Sequence, residues 1–162
     1  TRRPSHVILL AWLLLFWPFQ VNGSPEFKQA IYETLSEAPD WVQFQVIANT
    51  RLIEEGGLTA SWDGPPWNRE GVTTVNPRWR YQPVALRAAD LLHEARHHYL
   101  YRTCQPYMGP KAERSAIEWQ ILVLRQMGHG LEDDAILSSL AWREYHGTQD
   151  TYRDWDRVKQ GC

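Results

Sequence analysis

The chain predicts an α+β domain in which a small sheet packs on two consecutive helices. Leu86–Cys104 (LRAADLLHEARHHYLYRTC) and Lys111–Met127 (KAERSAIEWQILVLRQM) each run without glycine or proline and repeat apolar residues at helical spacing. From Arg51 to Val75 the pattern changes to short β-prone stretches interrupted by Gly56-Gly57 and Gly64-Pro65-Pro66. The 162 residues, 43% of them hydrophobic, suffice for one core and are too few for two ordinary domains.

The first segment reads as a leader. A basic start precedes the apolar run Val7–Trp17 (VILLAWLLLFW), and Pro18 and the small-residue step Val21-Asn22-Gly23 follow it. Eleven apolar residues fit a secretory signal better than a membrane span, which needs about 20. Residues 1–23 are therefore expected to form a signal peptide, with an uncleaved anchor as the alternative, and residues 24–162 the domain. A secreted or periplasmic location follows, with membrane attachment only if the leader is retained.

Pro25–Ala38 places Phe27, Ile31 and Leu35 on one helical face, and Asp40–Asn49 continues as helix after Pro39. Arg51–Glu55 and Leu58–Trp62 are expected to form a hairpin around Gly56-Gly57, with Val72–Val75 as a third strand. Pro83 marks the start of the Leu86 helix, and Gly109-Pro110 and Gly128 bracket the next one. Glu132–Tyr145 reads as a further helix, and the tail from Gly147 is polar.

Chemistry concentrates in His93-Glu94-Ala95-Arg96-His97. Residues four apart share a helix face, so both imidazoles can reach one metal ion with a glutamate beside them. Ala89, His93, His97 and Leu100 form one stripe, which puts the rings on the apolar side. The competing interpretation is a pair of hydrogen-bonded core histidines. His98 points about 100° away from His97 and should not share the ion. Arg96 is expected to be a solvated cation, or to line the cleft or pair with an acid.

A catalytic zinc site takes three protein ligands, so another donor is required. Glu113 heads the buried stripe Ala116, Ile117, Gln120, Val123, Leu124 and Met127, across a short loop from His97. A first-turn glutamate is also favoured by the helix dipole alone, and Glu118 is the reserve ligand. The expected metal ligands are thus His93, His97 and Glu113.

The segments LLHEARHHY (Leu91–Tyr99) and AERSAIEWQ (Ala112–Gln120) resemble the gluzincin zinc metallopeptidases, especially their smallest single-domain members. The resemblance spans Leu86–Met127. It implies a minimal zincin-like fold, a Zn²⁺ cofactor held by His93, His97 and Glu113, and Glu94 as general base. It also implies an extended substrate added along a sheet edge, for which Gly71–Asn76 is the candidate strand. The chain departs from the larger enzymes at Ile117, where they carry an aspartate that orients a histidine. No motif identifies the group that stabilises the transition state; Tyr99, Tyr107, His129, Tyr145 and His146 are the candidates.

The expected activity is zinc-dependent peptide hydrolysis, with Glu94 activating a zinc-bound water and later protonating the leaving amine. A peptide or protein is the expected substrate and a monomer the expected state. The alternatives are a secreted binding or inhibitory module on the same fold and an anchored structural domain. A net charge of −2 and a pI of about 6.3 give no basic patch for nucleic acid. In an oxidising compartment, Cys104 and Cys162 would form one disulfide.

Overall fold

In the computed structural model of the protein, which describes residues 19–56, 71–130 and 161–162, each helix begins at a recognisable start signal. Helix α1 (Pro25–Glu37) follows Ser24, whose hydroxyl accepts from the Phe27 N–H at 3.3 Å. Pro25 occupies the first turn, where its missing N–H breaks no helical bond. Helix α2 (Asp40–Asn49) begins after Pro39, as its sequence suggests. Together α1 and α2 bury Phe27, Ile31, Leu35, Val42, Val46 and Ile47 in the core.

Three short strands follow one another across a parallel sheet: β1 (Gln20–Asn22), β2 (Leu52–Glu55) and β3 (Val72–Val75). Gln20 pairs with Leu52, and Leu52 with Val72. This corrects the expected hairpin. Both sides of β2 are taken by parallel partners, and the Gly56 N–H bonds the Val75 carbonyl at 2.9 Å, prolonging the ladder instead of turning. Leu58–Trp62, the expected second arm, lies outside the described residues. Parallel neighbours need a long crossover, and α1 with α2 supplies it between β1 and β2.

Strand β1 uses residues that the sequence assigns to the end of the leader. Phe19 is buried in the same core as Ile31 and Ile53. Just beyond, Gly23 passes so close to β2 that a Cβ there would lie 2.7 Å from Glu55 Cβ and 2.8 Å from the Phe27 ring. Glu55 fastens this corner by accepting from the Ser24 N–H at 2.7 Å and the Ser24 hydroxyl at 3.1 Å. Residues 1–18 lie outside the description.

A 3₁₀ turn (Pro77–Tyr81), unforeseen in the sequence, buries Trp79 and leads through Pro83 into α3 (Val84–Arg102). Helix α3 packs against α1, α2 and, most extensively, α4 (Pro110–Gln126). Its Ala88, Ala89, Leu91, Leu92 and Ala95 are buried. Gly109, at φ 96°, adopts the left-handed conformation that precedes Pro110 at the start of α4. The expected helix over Glu132–Tyr145 lies outside the described residues. Cys104, one residue past Thr103 at the end of α3, is disulfide-bonded to Cys162 over a sequence separation of 58. Among the described residues no helix is long and apolar enough to cross a membrane.

A chain starting at Ser24 would lose Phe19 and all of β1. Because removing a buried phenylalanine side chain alone costs about 3–5 kcal/mol, such a chain should unfold at a markedly lower urea concentration than one starting upstream of Phe19. Equal midpoints for the two chains would show that β1 adds nothing to the fold.

Candidate metal centre

Helix α3 projects His93 and His97 from adjacent turns into its interface with α4, with both residues buried. Across that interface Glu113, in the first turn of α4, faces them. His93 Nε2 lies 3.3 Å from Glu113 Oε2, and His97 Nε2 lies 3.3 Å from Glu113 Oε1. The two Nε2 atoms are 3.1 Å apart. The three expected ligands therefore converge and could hold a metal ion. The reserve candidate, Glu118, is exposed and does not join them.

Hydrogen bonding on the far side of each ring explains why the Nε2 atoms are the ones on offer. His97 Nδ1 lies 2.8 Å from the Tyr107 carbonyl, and His93 Nδ1 lies 2.9 Å from Gln120 Oε1. Both oxygens are acceptors, so each ring, when neutral, places its proton on Nδ1 and keeps a lone pair on Nε2. Two lone pairs facing each other at this range repel unless a proton or cation intervenes. A tetrahedral ion bound at 2.0–2.1 Å keeps its ligand atoms about 3.3 Å apart, close to the Nε2–Nε2 separation and to the distance from each imidazole to the carboxylate oxygen it faces. The donor set and its spacing thus fit an ion.

The charges of His97 and Glu113 depend on one another. Burial opposes protonation of His97, but the Glu113 carboxylate, its hydrogen bond, Glu94 and the Tyr107 carbonyl outweigh it and push the pKa up to about 9. Burial also opposes charge on Glu113, yet His97 and the hydrogen bonds from both histidines hold its carboxyl well below the usual range. Glu94 is half-buried beside His93, and its charge acts on His97.

His98 does not join the cluster. It is buried, with Nε2 3.0 Å from the Thr73 hydroxyl, and so links α3 to β3. Burial first, and the positive charge of His97 second, lower its pKa to about 3. Arg96 corrects the expectation of a solvated cation. Its Nε donates to the Ser115 hydroxyl at 2.9 Å, and its guanidinium lies 4.4 Å from the Trp119 ring centroid and 4.8 Å from that of Tyr99. It joins α3 to α4 through stacking and a hydrogen bond.

Two further polar residues border the site. Gln120 is buried on α4, and its Nε2 donates to Asp90 Oδ1 at 3.2 Å. Ile117, at the position where an aspartate would be expected, is partly buried, and Gln120 one turn further along reaches His93 instead. A signal for Gln120 was present in the sequence: an amide interrupting an apolar stripe two turns after Glu113. The Tyr107 carbonyl has no such signal, because every residue carries one. Of the candidate transition-state donors, Tyr99 packs on Trp119 and Tyr107 on Tyr101, whereas Tyr145 and His146 lie outside the described residues.

Comparison of the chain with protein-family models, curated proteins and solved structures returns no match.

Metal binding must displace the proton that His97 holds below about pH 9. Uptake at about pH 7.5 should therefore release close to one proton, with affinity rising about tenfold per pH unit until that pKa is passed. Titration calorimetry in buffers of different ionisation enthalpy measures the release.

His98 makes a separate prediction. Its unfolded form takes a proton near pH 6.5 and its folded form only near 3, so the unfolded state binds more protons between those values. Stability contributed above pH 6.5 is consequently lost as the pH falls through this window. His98→Gln should flatten that part of the curve of urea midpoint against pH.

Proposed function

We propose that the chain is an exported, zinc-dependent peptidase of the gluzincin kind, in which His93, His97 and Glu113 hold the ion and Glu94 is the general base. The observation that carries this reading is the convergence of two Nε2 atoms of an HExxH helix, 3.1 Å apart, on the Glu113 carboxylate of the next helix, each 3.3 Å from a different oxygen of it. Two imidazoles and one carboxylate leave a four-coordinate zinc ion one position for water or substrate. When bound, the ion supplies Lewis acidity, polarising a carbonyl and lowering the pKa of water toward about 7.

The remaining work falls to the chain. Glu94 is adjacent to His93 in sequence, and its carboxylate can accept a proton from water and deliver it to the departing amine. The Tyr107 carbonyl and Gln120 hold the two rings by their Nδ1 atoms and so keep Nε2 available. Strand β3 ends the described sheet and is tied to α3 by Thr73 and His98, which suits it to align an extended peptide beside the site. The Cys104–Cys162 disulfide fits an oxidising compartment and supports an extracytoplasmic location, as does the apolar leader.

Purified protein should contain one zinc per chain by elemental analysis, lost in His93→Ala and in Glu113→Ala. Glu94→Gln should retain the metal while cleavage of a mixed peptide library falls by about 10²–10⁴-fold, the usual contribution of a general base. Zinc retention with no Glu94-dependent cleavage would leave a metal-holding binding module.

A further inference from the structure

We infer that Asp90 and Gln120 form a directional relay that positions His93 for the metal, with the amide of Gln120 interposed between a carboxylate and the ligand ring. The inference rests on the metal-binding role of His93, His97 and Glu113 and does not depend on peptide hydrolysis.

Asp90 lies three residues before His93 on α3, so the two share a helix face, and Gln120 reaches both from α4. The three residues are 6%, 4% and 2% exposed, respectively, leaving little access for water to replace a broken bond. An amide has two distinguishable ends. Asp90 Oδ1 lies 3.2 Å from Gln120 Nε2 and takes its donor end, which leaves Oε1 facing His93 Nδ1 at 2.9 Å. Were the amide reversed, its oxygen would oppose the Asp90 carboxylate and its NH₂ would face Nδ1. The His93 proton would then move to Nε2, the atom that faces Glu113 and His97. The acceptor oxygen of Asp90 therefore determines which His93 nitrogen carries the lone pair, although no hydrogen bond joins Asp90 to the ring through Nδ1.

Gln120 cannot ionise, so its own contribution to this orientation is independent of pH. It also keeps the carboxyl group of Asp90 one side chain away from His93 Nδ1. A carboxylate bonded directly to Nδ1 would make His93 a more basic ligand; the interposed amide orients the ring with a smaller electronic effect.

The relay can be tested by exchanging its ends. Metal-free wild type and variants are titrated with Co²⁺, followed by visible absorption and chelator competition, and the fold of each is checked by circular dichroism. Asp90→Leu, which removes the acceptor, and Gln120→Met should each weaken Co²⁺ binding about 10–100-fold, the range found when partners of a metal-bound histidine are removed. Combining Asp90→Asn with Gln120→Glu restores the same donor order: the new amide at position 90 donates to the new carboxylate at position 120, which accepts from Nδ1. The combined variant should bind Co²⁺ at least as tightly as wild type, because its carboxylate meets Nδ1 directly. The relay is overturned if Asp90→Leu binds like wild type, or if the combined variant is as weak as Gln120→Met. Failure of the wild type to bind Co²⁺ would overturn the metal site itself, and the relay with it.

Discussion

Two imidazole nitrogens that each present a lone pair cannot rest 3.1 Å apart in a protein interior unless positive charge lies with them. Much of the α3–α4 interface follows from that constraint. A carboxylate must be near, and Glu113 is held there because the turn bearing it is flanked by the buried small side chains of Ala112 and Ala116. The rings must not turn their protons inward, so acceptors hold each Nδ1. Burying this many polar groups is tolerable only when each has a partner, since an unsatisfied buried group costs about 1–3 kcal/mol.

Helix α3 organises these partners by direction. Toward α4 it presents Asp90, His93, Arg96 and His97. Toward the sheet it presents His98, which meets Thr73 on β3. Toward α1 it presents Arg87, buried yet paired with Glu33 at 2.6 Å and lying 5.7 Å from the Trp79 ring centroid. One helix thus joins the sheet, the α1 layer and α4 through polar contacts as well as through Leu91, Leu92 and the buried alanines. A displacement of α3 along its axis would disturb all three connections together, which couples the site to the core.

The legible parts of the sequence were those whose physics is local. Helical periodicity located α3 and α4, and the i, i+4 histidine pair with Glu113 at the head of an apolar stripe anticipated the cluster. Strand pairing was harder to anticipate because strands of three or four residues carry little pattern, and their partners lie far away in sequence. Gly56-Gly57 resembled a turn when viewed alone, but backbone pairing with Val75 decides its role. Gln20–Asn22 resembled leader exit because nothing nearby reveals that β2 lies alongside. The supports of the histidines were hidden for a related reason: Asp90 and Gln120 acquire their meaning only when two helices are brought together, and Tyr107 contributes a backbone atom.

The Cys104–Cys162 link has a topological consequence for the candidate centre. It closes a covalent ring that contains Glu113 and Gln120 but leaves His93 and His97 on the chain entering the ring. A single backbone cut between Gln105 and Gly161 therefore cannot separate the carboxylate donor from the imidazole donors, because the two pieces remain joined through sulfur. A protein nicked once within the ring thus keeps all three donors in one molecule. Separating the carboxylate from the imidazoles takes a second cut within the ring on the other side of Glu113, reduction of the disulfide, or a cut outside the ring between His97 and Cys104.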